Sequence, residues 1–246
     1  MQLPENTNSA NLIEAAIDQL KNLINGHIVP GHGMDHFVSV YNHSYEAIKE
    51  HQGYSLTEEI ELQILLGALL HDADDRKIFP NSKNNQNTRM ILREILPGNT
   101  EDLEQEQSFI DGVAEIIDLV SCSKNHSSTV PEGEEYKLIV RMADRLEAVG
   151  EEGITRCIEY SKGIQPFHDE HTKVARTEEE LKLIATRERY LSYNRSRTVI
   201  DHFYDKLLHV CDPENLEIHN PYFLRLAATR HQAMVDYVLN YWKINA

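Results

Sequence analysis

Cysteine, positive charge and long apolar runs are all scarce in this chain of 246 residues. Its three cysteines, Cys122, Cys157 and Cys211, form no CxxC pair, which excludes a disulfide framework and a cysteine-based zinc site. The longest uncharged apolar stretch, about residues 64–70, is far shorter than the roughly 20 residues that cross a bilayer. The N-terminus has neither a basic region nor an apolar core, so we expect no secretory signal. These absences predict a reduced, cytoplasmic protein.

The charge balance is strongly acidic. Lys and Arg number 24 against 40 Asp and Glu, which gives a formal net charge of −16. Because nucleic acids and anionic membranes are bound through cationic surfaces, we expect neither as a partner. A polyanionic substrate stays compatible with this charge if a metal ion or local cations reverse the field at the site.

Strand signals are nearly absent, whereas apolar residues recur at helical spacing along the whole chain. Thr57 followed by Glu58 and Glu59 is typical of a capped helix start. No repeat or low-complexity linker divides the chain, so the sequence predicts an all-α protein of one domain. The predicted helical segments after residue 100 are about residues 103–121, 136–149, 151–162, 178–190, 197–210 and 223–242.

Three groups of polar residues interrupt these apolar helical patterns. The adjacent pair His71 and Asp72 follows a run of leucines, and on a continued helix Asp75 would share the face of His71. His36 lies at a predicted helix start after Gly33. Asp144 lies among residues that we expect to be buried. Taken singly, each group also fits a structural role: a solvated helix end, an interior hydrogen bond or a buried Asp–Arg pair.

Together, His36, His71-Asp72 and Asp144 resemble the H…HD…D pattern of the HD-domain superfamily of metal-dependent phosphohydrolases. The flanking sequences GHGMDH, ALLHD and ADRLEA are similar to the motifs of that family. Residues 201–208 resemble the tail of its single-domain branch of predicted nucleotide (pyro)phosphohydrolases. The resemblance implies a single HD-domain helical bundle, with a core at about residues 24–162 and a C-terminal helical extension at about 175–246.

The resemblance also implies a metal site. It assigns His36, His71, Asp72 and Asp144 as ligands of one divalent ion. Two imidazoles and two carboxylates suit Mn²⁺, Fe²⁺, Ni²⁺, Co²⁺, Zn²⁺ or, less well, Mg²⁺. An ion held by four protein ligands keeps coordination positions for water and substrate, and neutralises carboxylates in an apolar setting.

Further residues are candidates for catalysis and substrate binding. Asp75 is the candidate general base or water-orienting residue, and Lys77 the candidate contact to a phosphate. Some members of the family carry an acidic pair after the His-Asp, and here Arg76 replaces the second acid, so the bond that is cleaved stays open. The candidates for substrate binding are His32, Arg145, Lys206 and Tyr204. Solvated or core-packing roles remain open for each of them.

The expected function is hydrolysis of phosphate ester or anhydride bonds in small nucleotides by a metal-activated water. A nucleoside triphosphate pyrophosphohydrolase or phosphatase is favoured. Two alternatives stay open: a cyclic nucleotide or cyclic dinucleotide phosphodiesterase, and a non-catalytic regulatory module stabilised by its metal.

Overall fold

The computed structural model describes residues 1–27, 33–52, 56–96, 103–120, 130–192 and 195–246. Every regular element in these ranges is helical and none is a strand, so the all-α prediction is confirmed. The α-helices are α1 (Thr7–Ile24), α2 (Met34–Lys49), α3 (Glu58–Leu70), α4 (Gln86–Ile95), α5 (Leu103–Asp118), α6 (Ile139–Glu147), α7 (Gly150–Ser161), α8 (Glu178–Ile184), α9 (Arg187–Leu191), α10 (Val199–His202), α11 (Leu208–Val210) and α12 (Pro221–Asn245). Two 3₁₀ turns, Glu135–Leu138 and Pro213–Asn215, and a π-helical segment, Phe203–Leu207, complete the set.

The chain groups into two compact units, Met1–Asp144 and Arg145–Ala246. This division falls inside α6, whereas the sequence placed the end of the core near residue 162. Each unit has buried apolar side chains of its own. The assignment of the whole chain to one domain stays a prediction.

The first unit is built around α3, whose C-terminal half is apolar and buried on all its faces. Residues 64–70 of α3 are all buried, as in a helix at the centre of a bundle. It packs against α1, α2 and α5, and α4 packs against α1 and α5. Gly67 allows the close approach of α5, because a Cβ atom there would lie 3.1 Å from Cγ2 of Ile116.

The ends of α2 and α3 place the polar residues singled out in the sequence. Thr57 caps α3 as predicted, its Oγ1 accepting a hydrogen bond from the N–H of Ile60 at 3.2 Å. The start of α2 at Met34, directly after Gly33, also agrees with the prediction. The α3 helix ends at Leu70, so His71 is its C-cap residue and the next residues form turns.

The second unit contains α7 and α12, which pack against each other. Asn220 caps α12, because its side-chain oxygen accepts hydrogen bonds from the N–H groups of Tyr222 and Phe223. Pro221 occupies the first position of that helix, where its missing N–H costs nothing. Within the described ranges, no helix combines the length and the apolar character that crossing a membrane requires.

Three predicted helices differ in detail from the observed ones. The segment predicted at residues 178–190 is two helices, because the Thr186 hydroxyl caps a new start by accepting from the N–H of Arg189. The segment predicted at 136–149 begins with a 3₁₀ turn. The segment predicted at 197–210 begins at Val199, after the cap Thr198, and widens into the π-helical segment.

Candidate metal centre

Four polar side chains from three separate stretches of the first unit lie close together. His36 lies in the first turn of α2, His71 and Asp72 lie directly after α3, and Asp144 lies in α6. His36 and His71 are buried, with 8% and 7% of their surface exposed, while the Asp144 side chain is 33% exposed. The cluster is therefore shielded on the histidine side and accessible on the side of Asp144.

The donor atoms face one another at short range. His36 Nε2 lies 3.2 Å from His71 Nε2 and 3.3 Å from Asp144 Oδ1. Asp72 Oδ2 lies 3.8 Å from His36 Nε2 and 3.6 Å from His71 Nε2. His71 Nε2 lies 3.8 Å from Asp144 Oδ1. Ligand atoms of His36, His71 and Asp144 thus lie within 4.8 Å of one another, and Asp72 approaches this group from the side of the two histidines.

A backbone hydrogen bond fixes the orientation of the His71 ring. Its Nδ1 lies 2.9 Å from the carbonyl oxygen of Ala68, and a carbonyl oxygen only accepts. Nδ1 therefore carries the proton and donates it, which leaves the lone pair of a neutral ring on Nε2. This arrangement, with one ring nitrogen donating to a backbone carbonyl, is typical of metal-binding histidines.

The carboxylates of the cluster change the protonation of their neighbours. Burial alone lowers the pKa of His71, but the facing carboxylates of Asp72 and Asp144 outweigh it, and the net pKa lies above its usual value. Partial burial alone raises the pKa of Asp144, but the hydrogen bond from His36 and the charge of His71 bring it below its usual range. Positive charge at this point is thus favoured, whether it is carried by an imidazolium or by a cation.

The spacing and chemistry of the cluster fit a divalent ion. Nitrogen and oxygen ligands lie about 2.0–2.2 Å from such ions, so neighbouring ligand atoms in tetrahedral or octahedral sites are about 3.0–3.5 Å apart. The closest observed pairs, at 3.2 and 3.3 Å, lie in that range. Two imidazole nitrogens and two carboxylate oxygens also form the mixed set that transition metals accept.

The two catalytic candidates, Asp75 and Lys77, follow His71 and Asp72 along the chain. Because α3 ends at Leu70, the helical argument that placed Asp75 on the face of His71 is wrong. Asp75 nevertheless lies within electrostatic reach, since its carboxylate helps to raise the pKa of His71. Its Oδ1 accepts a hydrogen bond from the N–H of Lys77 at 2.7 Å, and the Lys77 side chain is exposed.

The substrate-binding candidates are not brought together by the described contacts. His32 lies outside the described residues. Arg145 is 4% exposed, and its Nη1 lies 3.0 Å from Glu217 Oε2. The hydroxyl of the buried Tyr204 donates to the carbonyl of Lys173 and accepts from Trp242 Nε1, so its polar atom is engaged in packing. Lys206 lies half-buried in the π-helical segment. The roles of these residues in substrate binding stay predictions.

Sequence reasoning missed one polar residue beside the cluster, Asp74. It gave that aspartate no role, whereas the structure gives its carboxylate four hydrogen bonds to residues 82, 87 and 88. The partners lie 8 to 14 positions further along the chain, beyond the reach of a local capping pattern. Only a tertiary structure reveals such a contact.

Comparisons with known proteins place the chain among relatives. No family model matches it. The uncharacterized protein L803 of Acanthamoeba polyphaga mimivirus is 39% identical over 244 residues, which cover 94% of this chain and 95% of that protein.

Solved structures share the fold. An HD-superfamily hydrolase from Bacillus thuringiensis matches with a TM-score of 0.58 at 22% identity, covering 94% of this chain and 95% of its own. YpgQ of Bacillus subtilis, in complex with ADP, matches with a TM-score of 0.53 at 20% identity, covering 96% of both chains. The chain therefore belongs to one family with the mimivirus protein, and it shares the fold of the HD-superfamily hydrolase from Bacillus thuringiensis.

Proposed function

We propose that this protein is a metal-dependent hydrolase of phosphate ester or anhydride bonds in small nucleotides. The observation that carries the proposal is the cluster of His36, His71 and Asp144, whose ligand atoms lie within 4.8 Å of one another, with Asp72 3.6 and 3.8 Å from the two histidine nitrogens. The ADP bound to YpgQ, whose fold is similar, supports a nucleotide as substrate. We favour nucleoside triphosphates, cleaved either to pyrophosphate and a monophosphate or to phosphate and a diphosphate.

The residues of the cluster have the donor atoms to hold one divalent ion. When bound, such an ion polarises a phosphoryl group and lowers the pKa of water, which are the two effects that phosphate hydrolysis needs most. Asp75 is the proposed acceptor of the proton released by the attacking water, and Lys77 the proposed contact to a non-bridging phosphate oxygen. In pyrophosphohydrolysis, water attacks the α-phosphorus while the bond between that phosphorus and the oxygen bridging it to the β-phosphorus breaks, and pyrophosphate leaves.

A panel of nucleotides tests the proposal directly. Purified protein is incubated with nucleoside mono-, di- and triphosphates and with cyclic nucleotides, in the presence of Mn²⁺, Co²⁺ or Mg²⁺, and released phosphate and pyrophosphate are measured separately. We expect activity that depends on the metal, is lost with chelator and is highest on triphosphates. His36→Ala is the inactive control, and His171→Ala, which changes a ring on a side chain 64% exposed, is its matched partner.

The alternatives make different predictions in the same experiment. Turnover of cyclic nucleotides or dinucleotides alone would assign a phosphodiesterase. A non-catalytic module would bind its ion tightly and gain stability, but would hydrolyse nothing and bind no phosphate. Protein that neither binds a divalent ion nor hydrolyses any member of the panel contradicts the proposal.

A further inference from the structure

We infer that Asp74 is a positioning residue for the metal centre, because it anchors the turn that carries His71 and Asp72 to the first turn of α4. Asp74 belongs neither to the four side chains of the cluster nor to the proposed catalytic pair. The inference rests on the proposed function, since it concerns how the same ligand set is kept in place.

The carboxylate of Asp74 is saturated with hydrogen bonds from one short stretch of chain. Oδ1 accepts from the N–H of Asn87 at 2.8 Å and from the hydroxyl of Ser82. Oδ2 accepts from Thr88 twice, from the N–H at 3.0 Å and from Oγ1 at 2.8 Å. Thr88 is fully buried, so its two bonds are shielded from water. Both oxygens are thus held in a fixed orientation.

Asp74 supplies α4 with a cap that the helix lacks locally. The residue at the N-cap position, Asn85, is left-handed at φ 54° and makes no side-chain capping bond. Its Nδ2 donates instead to Asp118 Oδ1 at 3.2 Å. The N–H groups of Asn87 and Thr88 in the first turn of α4 are satisfied by Asp74, and the negative charge suits a helix N-terminus. The ligand turn and the helix therefore hold each other.

A second bond ties the same turn to α4. Asn87 Nδ2 donates to the carbonyl oxygen of Ala73 at 2.8 Å, and Ala73 directly follows Asp72. Both residues after the ligand Asp72 are thereby fixed to α4, which packs in turn against α1 and α5. Since Asp72 Oδ2 lies 3.6 and 3.8 Å from the two histidine nitrogens, a small rotation of this turn would open the ligand set.

Two substitutions and one control test the inference. Asp74→Asn replaces one carboxylate oxygen by an amide NH2, which cannot accept from the backbone N–H of Asn87 or Thr88 that it then faces. Asn87→Ala removes only the side-chain bond to Ala73. Asp111→Asn is the control. The Asp111 side chain lies on α5 and is 53% exposed, and it pairs with Arg89 of α4, away from the turn that carries His71 and Asp72. The measurements are the dissociation constant for Co²⁺ and the visible absorption spectrum of the Co²⁺-loaded protein, with circular dichroism to verify folding.

We expect Asp74→Asn to weaken Co²⁺ binding by about 10- to 100-fold, as is usual for residues that orient metal ligands, and to alter the ligand-field bands. Asn87→Ala should change both in the same direction by a smaller factor, and it keeps the test open if Asp74→Asn does not fold. Asp111→Asn should leave both measurements as in the wild type. If a folded Asp74→Asn variant, or Asn87→Ala, keeps the Co²⁺ affinity and spectrum of the wild type, the inference is overturned but the proposed function is not. If the wild-type protein itself binds no Co²⁺, both the proposed function and the inference are overturned.

Discussion

Each unit contains one cluster of partly buried charge, and the carboxylates of the two clusters are neutralised in different ways. In the second unit, Arg189 donates from Nε to Asp205 at 2.7 Å and from Nη2 to Asp201 at 3.0 Å. Ser196 and Thr198 donate to the remaining oxygens of the two aspartates at 2.7 and 2.9 Å. This cluster contains its own cation and its bonds have ordinary hydrogen-bond lengths.

The cluster of the first unit has imidazoles where the other has a guanidinium. Its nitrogen–oxygen distances run from 3.3 to 3.8 Å, longer than those to Arg189. The permanently charged Arg makes the second cluster a structural element, whereas His rings that can be neutral present lone pairs. The contrast separates two ways of balancing partly buried acids: a cation within the cluster, or neutral rings whose lone pairs are available to a metal ion.

The largest expected effect is the loss of hydrolysis when a ligand is removed. Asp144→Ala should lower kcat/KM by on the order of 10³-fold or more, because the proposed mechanism draws most of its charge stabilisation from the ion that Asp144 helps to hold. Steady-state assays on the substrate identified by the panel measure this. Activity within tenfold of wild type would show that Asp144 does not hold the ion.

Removing the cation from the cluster of the second unit should affect the stability of the fold rather than hydrolysis. Arg189→Met leaves Asp201 and Asp205 facing each other without their cation and should lower the free energy of unfolding by about 3 kcal/mol. Denaturant titration measures the loss, and Arg197→Met, which removes a guanidinium 61% exposed, is the control that should cost less than about 1 kcal/mol. Equal losses in the two variants would contradict a structural role specific to the Arg189 cluster.

Removal of the metal should lower the stability through the cluster of the first unit and leave the Arg189 cluster unaffected. With the free ion at 100 times its dissociation constant, binding to the folded state adds about 2.7 kcal/mol, which a chelator takes away. Calorimetry with and without chelator measures the shift in Tm, which His36→Ala should abolish and Arg189→Met should keep. A chelator effect that persists in His36→Ala would place the ion elsewhere.

The smallest expected effect concerns pH in the second unit. Burial, helped by the charge of Lys206, lowers the pKa of His202 to about 4. The unfolded chain therefore binds this proton more tightly, so the contribution of His202 is complete above pH 6.5 and is lost as the pH falls toward 4. Between pH 7.5 and 5.5 the loss is about 1 kcal/mol. His202→Gln should flatten this slope in denaturant titrations, and an unchanged slope would assign it to other groups.

The sequence predicted those features that depend on residue type and local pattern. Thr57 and Gly33 indicated the starts of α3 and α2 correctly, and the distant residues His36 and Asp144 lie together as the family resemblance implied. It did not predict that α3 stops before His71, because an apolar run contains no stop signal of its own.

Pairs formed by tertiary contact were beyond local patterns. The partner of Arg145 is Glu217, 72 positions later, and nothing in the flanking sequence of either residue indicates the pair. The same holds for Asp74, whose partners on α4 are recognised only when the helix is folded against the turn. A residue type fixes which bonds a side chain can make, while the fold decides with which partner it makes them.

Because His71 donates a hydrogen bond to the carbonyl oxygen of Ala68, its imidazole has two structural roles. Its Nδ1 donates to a carbonyl oxygen in the last turn of the central helix, which would otherwise need water or another donor, while its Nε2 faces His36 and Asp144. A substitution at His71 changes the hydrogen bonding at the end of α3 and the donor atoms of the cluster at the same time. A variant of His71 therefore mixes a folding defect with a binding defect, and His36 and Asp144 are the cleaner positions at which to dissect the chemistry.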